Sequence, residues 1–244
     1  MSGKSRLDVA LVERGLIDSR EKARRAIMAA QVLVNGQPVA KAGTLVAADA
    51  ELSLVAREKF VGRGGLKLEG ALDTFEIDPA GRICIDVGAS TGGFTDCLLQ
   101  RGAAKVYAVD VGHGQIDWRI RQDGRVDVRE GVNARYLLSA DFDPSPSLAV
   151  ADVSFISLTL VLPAVFALLL PASEMVVLIK PQFELARADV GRGGIVREAG
   201  LREQAVERIR DFVARSGCQW VALRESPITG RDGNVEFLAH IRTP

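Results

Sequence analysis

Two groups of residues in this sequence could do chemistry. The first is a turn, Asp86-Val-Gly88-Ala89-Ser90-Thr-Gly92-Gly93-Phe94, with three glycines following a carboxylate. Read as a strand end, a Gly-rich turn and a helix start, it makes a ligand site, because the first N–H groups of a helix lack internal partners and face the turn. Asp110 follows Asp86 by 24 residues, at the end of the next apolar run, where a carboxylate can hold ribose hydroxyls. The turn is not GxGxxG, since Ser90 stands where that fingerprint wants glycine for backbone approach to a pyrophosphate. Nicotinamide and flavin chemistry is therefore disfavoured. The second group is Lys67, Asp152, Lys180 and Glu236, amines and carboxylates able together to orient a polar group and move a proton. Taken singly, each reads as a rim charge or an ion-pair partner.

The surrounding pattern must bring these residues together. Candidate strands run over 82–88, 105–111, 126–132, 147–153, 174–180, 219–225 and 234–242, with helical patterns such as FTDCLLQRG and LREQAVERIRDFVARSG between most of them. Such alternation predicts an α/β fold, a seven-stranded and mostly parallel sheet covered on both faces. The last two strands are joined only by SPITGRDG, too short for a parallel crossover, so they should be antiparallel neighbours. Asp152 follows the fourth strand and Lys180 the fifth. Strand carboxyl ends share one rim of such a sheet, so the two should meet beside the ligand turn.

The chain has 244 residues, 48% of them hydrophobic, which excludes a disordered or collagen-like class and allows a large unit plus a small one. Its 31 basic and 31 acidic residues cancel, but not evenly. Residues 1–63 hold 11 Lys/Arg against 7 Asp/Glu, a small basic unit ahead of a larger acidic one. The join is expected near Arg57–Gly65, in REKFVGRGG, with domains over 1–60 and 61–244. Three dispersed cysteines (Cys84, Cys97, Cys218) and two histidines give no zinc pattern or disulfide framework and fit a reducing, cytoplasmic setting. No metal site is expected.

In the basic unit, Leu7, Leu11 and Val12 share one face of a first helix that Gly15 stops. Asp18 is expected to cap a second helix, with Glu21 completing a capping box, and Ala23, Ala26, Ile27 and Ala30 pointing inward. Val32-Leu-Val and Gln37-Pro-Val flank Asn35-Gly36, a strong hairpin signal, and AELSLVA would add a strand. Arg6-Leu-Asp, Ser19-Arg20, Ala23, Ile27 and Val34-Asn35-Gly36 resemble, in order and spacing, the S-four-like RNA-binding domain. The resemblance departs at Ala30-Gln31, where that family often has glycine. It implies RNA as the partner, with Arg6, Arg20, Lys22 and Arg24 as contacts, chiefly to phosphate.

The turn, the acid at Asp110 and the seven-strand pattern look like the S-adenosylmethionine site of class I methyltransferases. Amino-group methyltransferases carry an Asn/Asp-Pro-Pro-aromatic turn where this chain has Asp152-Val-Ser-Phe155, and carbon-5 enzymes need a nearby cysteine that is missing here. Lys67, Asp152, Lys180 and Glu236 resemble the tetrad of the FtsJ/RrmJ-like ribose 2′-O-methyltransferases. The longer string of GRGGLKLEGAL, DVGASTGGFTD, VDVGHGQ, NAR, ADVSFISL, IKPQFE, GRGGIVR and GNVEF is similar to the TlyA (haemolysin A-like) family across nearly the whole chain. The resemblance implies methyl transfer from S-adenosylmethionine to a cytidine 2′-hydroxyl in ribosomal RNA, in free RNA or in subunits. It implies Lys180 as the residue that takes the proton or orients the oxygen, with Lys67, Asp152 and Glu236 positioning it. Gly88, Ala89, Ser90, Gly92, Gly93 and Phe94 would line the methionine end of the cofactor, Asp110 its ribose, and Asn133 and Asp152 would complete the set. Shorter relatives are associated with the large subunit, and a chain ending at Arg242-Thr-Pro244 is expected to share that target.

The family's older label suggests another class, a membrane-active cytolysin. Its only candidate segment is Val153–Ser173, uncharged and about long enough to span, but broken by Pro163 and Pro171 and overlapping the Asp152 motif. We read it as a strand end followed by a buried helix, with no membrane partner. Gly191-Arg-Gly-Gly194 reads either as a mobile loop that meets RNA or as a flexible connection only. Phe60 stands where some relatives have Trp.

Overall fold

The computed structural model describes residues 3–55, 58–230 and 232–244, so Arg57, at the start of the expected join, lies outside the described residues. The chain divides into two compact units, Met1–Glu58 and Lys59–Pro244.

The smaller unit contains β1 (Ser5–Arg6), α1 (Leu7–Glu13), α2 (Arg20–Met28), β2 (Val32–Val34), β3 (Gln37–Pro38), β4 (Leu45–Val46) and β5 (Leu52–Leu54). β3, β2 and β5 form an antiparallel sheet, while β1 pairs with β4 in a small ribbon that the sequence pattern did not suggest. Asn35 and Gly36 both have positive φ, as a two-residue hairpin turn of matching twist requires. Leu7, Leu11, Ala23, Ile27 and Val32 are fully buried and form the core.

Two local expectations are corrected. Ser19, not Asp18, caps α2: its backbone is extended and its hydroxyl accepts from the Lys22 N–H at 3.3 Å. Asp18 instead forms an ion pair with Lys22, so Glu21 sits one position too early for a capping box. Ala30 does not point inward. The helix ends at Met28, and Ala30 lies exposed at φ 55°, in the left-handed region at the point where the related domain often has glycine.

The larger unit begins with α3 (Gly64–Phe75) and continues through β6 (Ile83–Val87), α4 (Gly93–Gln100), β7 (Lys105–Val109), α5 (Trp118–Arg121) and β8 (Val126–Arg129). β9 (Leu148–Ala151), α6 (Leu158–Leu168), β10 (Glu174–Ile179), α7 (Pro181–Glu184), α8 (Ala199–Arg215), β11 (Gln219–Glu225) and β12 (Phe237–Arg242) complete it. The sheet order is β11-β12-β10-β9-β6-β7-β8, and β12 alone runs antiparallel to its neighbours. All seven expected strands are present, the last two paired as expected.

Side-chain alternation along each strand divides the interior into two layers. Ile85, Val87, Tyr107, Val109, Met175 and Val177 pack against α6 and α8 on one face. Cys84, Val106, Ala108, Leu148, Val176 and Leu178 pack against α3 and α4 on the other. All three cysteines are buried, and burial pushes the thiols of Cys84 and Cys97 up to about 12, so neither offers a thiolate. The uncharged stretch 153–173 folds as a turn and the 11-residue α6, whose Leu158, Val161, Leu162 and Val165 face the core. Among the described residues, no helix is long and apolar enough to cross a membrane.

Candidate active site

The site occupies the carboxyl ends of β6, β7, β9 and β10. At the end of β6, Gly88 has φ 85°, and a Cβ there would stand 2.5 Å from the Asp152 carbonyl oxygen, so only glycine lets the two strand ends approach. The Gly88 and Ala89 N–H groups both donate to the Val109 carbonyl. Asp110, at the end of β7, accepts from the Ser90 N–H at 2.7 Å and the Gly112 N–H at 2.6 Å, fixing the two loops around the opening. Each carboxylate oxygen keeps further acceptor capacity for a ligand.

Beneath this turn lies Asp86, fully buried, with one oxygen accepting from Thr95 Oγ1 at 2.7 Å and the other unpartnered. Burial pushes its carboxyl up to about 7; the Thr95 hydroxyl opposes that shift, and the nearby charges of Asp152 and Asp110 add to it.

Two cavities meet here. The larger, about 530 Å³, is lined by Gly88, Ser90, Asp110, Asn133 and Asp152 together with apolar Val111, Val132, Ile156 and Val161. The smaller, about 220 Å³, is lined by Gly64, Ala89, Thr91, Gly93, Phe94 and Lys180. Gly88, Ser90, Asp152 and Ser154 belong to both and form their common wall. Of the expected cofactor residues, only Gly92 lines neither cavity. It sits at φ 93° as the residue capping α4, packed against Ile120. Asn133 turns its amide oxygen onto the Arg135 N–H at the start of a short helical turn.

The four amines and carboxylates assemble as two ion pairs. Lys180 Nζ lies 2.5 Å from Asp152 Oδ1 and donates to Ser154 Oγ at 2.8 Å, on the common wall. Lys67, one turn into α3, pairs with Glu236 just ahead of β12, and both are buried. The α3 amino end ties the pairs together, since a Cβ on Gly64 would stand 4.0 Å from Asp152 Oδ2. Glu236 is also enclosed by Gly230, where a Cβ would meet its carboxylate at 2.6 Å.

Three residues at the site, Ser154, Phe155 and Glu184, were not singled out from the sequence as carrying a role. Phe155 is 91% exposed at φ 63°, and its ring lies 5.2 Å from that of Phe183. Glu184 is buried and bonds to the start of α6. Phe60 is buried against Gly65, and Val61 N–H donates to Asp96 Oδ2, so the segment after the join packs on α3 and α4. The Gly191–Gly194 loop is tied down by Asn234, which donates to the Gly194 carbonyl and accepts from the Val196 N–H.

In the smaller unit three of the four expected RNA contacts are already engaged. Arg6 and Arg20 both bond to buried Asp8, at 3.0 and 2.9 Å, and Lys22 pairs with Asp18. The Arg6 hydrogen bond, with help from Arg20, holds the Asp8 carboxyl down at about 2 against the opposing effect of burial. Arg24 is exposed and makes no ion pair among the described residues.

A seven-stranded sheet with one reversed strand, and a glycine turn and acid at adjacent strand ends, define the larger unit as a Rossmann-like methyltransferase fold. The sequence pattern of the FtsJ-like methyltransferase family matches residues 60–243, and that of the S4 domain matches residues 5–52. The chain belongs to the FtsJ-like methyltransferase family and carries an S4 domain ahead of the catalytic fold. It is 50% identical to YqxC of Bacillus subtilis, provisionally named an rRNA methyltransferase, over 100% of this chain and 87% of that protein. It is 44% identical to the 16S/23S rRNA (cytidine-2′-O)-methyltransferase TlyA of Mycobacterium tuberculosis, over 100% of this chain and 91% of the relative. A solved structure from Streptococcus thermophilus, provisionally named a hemolysin, superposes with a TM-score of 0.76 at 45% identity, covering 100% of this chain and 90% of that one.

Proposed function

We propose that the protein transfers a methyl group from S-adenosylmethionine to the 2′-hydroxyl of a cytidine in ribosomal RNA, with a large-subunit cytidine as the principal target. The observation that carries this reading is the Lys180–Asp152 pair, with Asp152 on the wall common to the two cavities and Lys180 lining the smaller one. A donor in the larger cavity and a ribose in the smaller one would face each other across that pair. The larger cavity suits the cofactor, being of nucleoside-binding size and mixed polarity, with a carboxylate at the ribose position. Gly88 and Ser90, on the common wall, would meet the methionine portion where it reaches past that wall to Ala89, Gly93 and Phe94 of the smaller cavity, with Gly92 shaping the turn. Asp110 would hold the ribose hydroxyls, and Asn133 and Asp152 would complete the binding set.

S-adenosylmethionine supplies an electrophilic methyl on a sulfonium. The chain must align the acceptor oxygen in line with it and relieve that oxygen of its proton. Lys180 is held by its ion pair with Asp152 and its hydrogen bond to Ser154, which fixes where the ammonium sits. The 2′-oxygen would lie against that ammonium, and its proton would leave toward the Lys180–Asp152 pair as the new O–CH3 bond forms and the S–CH3 bond breaks, with S-adenosylhomocysteine as the leaving group. Lys67 and Glu236 brace the same region through α3. The exposed Phe155 ring offers a flat face for the nucleobase. The smaller unit, residues 1–60 in our reading, contributes Arg6, Arg20, Lys22 and Arg24 to the RNA backbone, as expected of an enzyme working among cytoplasmic ribosomes.

The relatives' hemolysin names suggest a membrane-active alternative. Its one candidate segment is the α6 stretch, 11 helical residues that contribute to the core of the sheet. Exposing it would unfold the site.

The test uses large and small ribosomal subunits from cells lacking the modification, incubated with the protein and labelled S-adenosylmethionine, then hydrolysed in alkali. A 2′-O-methyl group blocks cleavage of the adjacent phosphodiester, so label should persist in a dinucleotide from the large subunit. Label released in mononucleotides would mean base methylation and would overturn the assignment of the tetrad.

A further inference from the structure

We propose that Glu184 is a positioning residue for this methyl transfer: it holds the turn that carries Asp152, Ser154 and Phe155 in register with Lys180. The inference rests on the activity proposed above. It starts from one short segment, Lys180–Glu184, which touches the neighbouring turn at three successive points. Lys180 holds its beginning, through Asp152 and Ser154. Phe183 packs on Phe155 in its middle. Glu184 closes its end, with Oε1 accepting from the Leu158 N–H at 2.8 Å and Oε2 from the Ser157 hydroxyl at 2.5 Å.

Such a hold is needed because the turn is strained. Phe155 is a bulky residue at positive φ, a conformation that L-residues avoid, and its ring is almost fully exposed, so the contact with Phe183 alone does little to enforce it. The residues on either side must enforce it instead. A carboxylate at the first N–H groups of α6 fixes where that helix begins, and hence how many residues remain to make the turn from β9. Glu184 is itself immobilised: it is buried, and its backbone carbonyl accepts from Arg208 of α8 at 2.7 Å. It contacts neither of the two cavities that form the site, so its effect has to pass through the turn.

The experiment compares wild type, Glu184→Ala and Glu184→Gln in the full chain. It measures steady-state methylation of large subunits, cofactor affinity by calorimetry, thermal stability, and amide exchange over residues 153–160. Glu184→Ala should lower kcat by about 10- to 100-fold, since displacing a reacting group by an ångström has effects of this size, and should leave cofactor affinity within about twofold. Exchange at Leu158 should accelerate. Glu184→Gln keeps an acceptor for the Leu158 N–H, so it should restore stability and Leu158 protection and recover kcat in part.

Unchanged kcat in Glu184→Ala despite faster exchange at Leu158 would overturn the proposal. So would kcat, cofactor affinity and melting temperature all falling in parallel, which is the mark of a purely structural residue. A wild-type protein inert on both subunits would instead sink the proposed activity, and this inference with it. That failure is read from the wild-type control alone, without reference to the variants.

Discussion

Lys180 and Asp152 stand at the ends of adjacent parallel strands, β10 and β9, and their charged atoms are 2.5 Å apart, Asp152 on the wall between two cavities and Lys180 in the smaller of them. Parallel pairing delivers both side chains to the same rim, and the close passage of Gly88 against the Asp152 carbonyl brings the ligand turn to that rim as well. The chemistry proposed here needs all three at one point.

Lys180→Ala should abolish methyl transfer while leaving S-adenosylmethionine affinity nearly intact, because Lys180 lines the smaller cavity and not the larger. Calorimetry with the cofactor alone, beside the transfer assay, checks both halves. Loss of cofactor binding together with activity would move Lys180 into the donor site.

Gly88→Ala should act the other way. Its Cβ would collide with the Asp152 carbonyl at 2.5 Å, and its φ of 85° alone costs an L-residue roughly 1–2 kcal/mol. Cofactor affinity should fall by about tenfold or more as the two strand ends are pushed apart. A variant that binds normally would show that the rim tolerates the separation.

Asp86 predicts a pH dependence of stability. Its carboxyl is raised to about 7 in the fold, so the folded state favours the neutral acid, and the group's contribution is most favourable below the ordinary carboxylate range. That contribution is lost as pH rises from about 4 to about 7. Asp86→Asn stays neutral throughout, so its melting temperature relative to wild type should be higher at about pH 8 than at about pH 4. A constant difference across that range would mean Asp86 does not titrate within it.

The arginines of the S4 domain should separate into two kinds. Arg24→Ala should weaken RNA binding and lower the slope of log affinity against log salt by about one, with stability unchanged. Arg20→Ala should also loosen the domain, since Asp8 is fully buried and would keep only Arg6. Asp8 is held down at about 2, so its stabilising effect is complete above the ordinary carboxylate range and is lost as pH falls toward about 2. Amide exchange over α1 and α2, at about pH 7 and about pH 3, follows both effects. An unmoved salt slope in Arg24→Ala would mark it as a solvated side chain only.

Ala30→Gly should stabilise the same domain by about 1 kcal/mol, because Ala30 occupies the left-handed region in the open and glycine does so without steric penalty. Denaturant unfolding of the two proteins measures it. A destabilised variant would mean that the entropy of the unfolded glycine outweighs the relief.

Much of this was legible in the sequence, and the limits have physical causes. Alternating strands and helices carry a strong period, so the seven strands, the antiparallel last pair and the Asn35-Gly36 hairpin could be read directly. Strand ends on one rim placed Asp152 beside Lys180 without any side-chain detail. The α2 cap was displaced by one residue because Asp18 and Ser19 are both good caps, and the Asp18–Lys22 ion pair decides between them only in three dimensions. The involvement of Arg6 and Arg20 with Asp8 was hidden for a similar reason: basic residues on a helix look solvated until the buried acid beneath them is seen. Glu184 and Ser157 are 27 residues apart, and no local pattern announces a carboxylate that caps another helix. The turn at Phe155 gave no warning, since positive φ in a non-glycine residue is imposed by its surroundings.

The Lys67–Glu236 pair joins the first helix of the catalytic unit to the approach to its last strand, 169 residues later. During synthesis at roughly 5–20 residues per second, the second partner therefore emerges some 10–30 s after the first. The S4 domain is already synthesised through that interval, while the catalytic unit still lacks both Glu236 and the strand that divides β10 from β11. A chain interrupted between these two residues thus carries a whole S4 domain and an unfinished catalytic site. The order of the sequence makes the small domain the early product of translation and the site the late one.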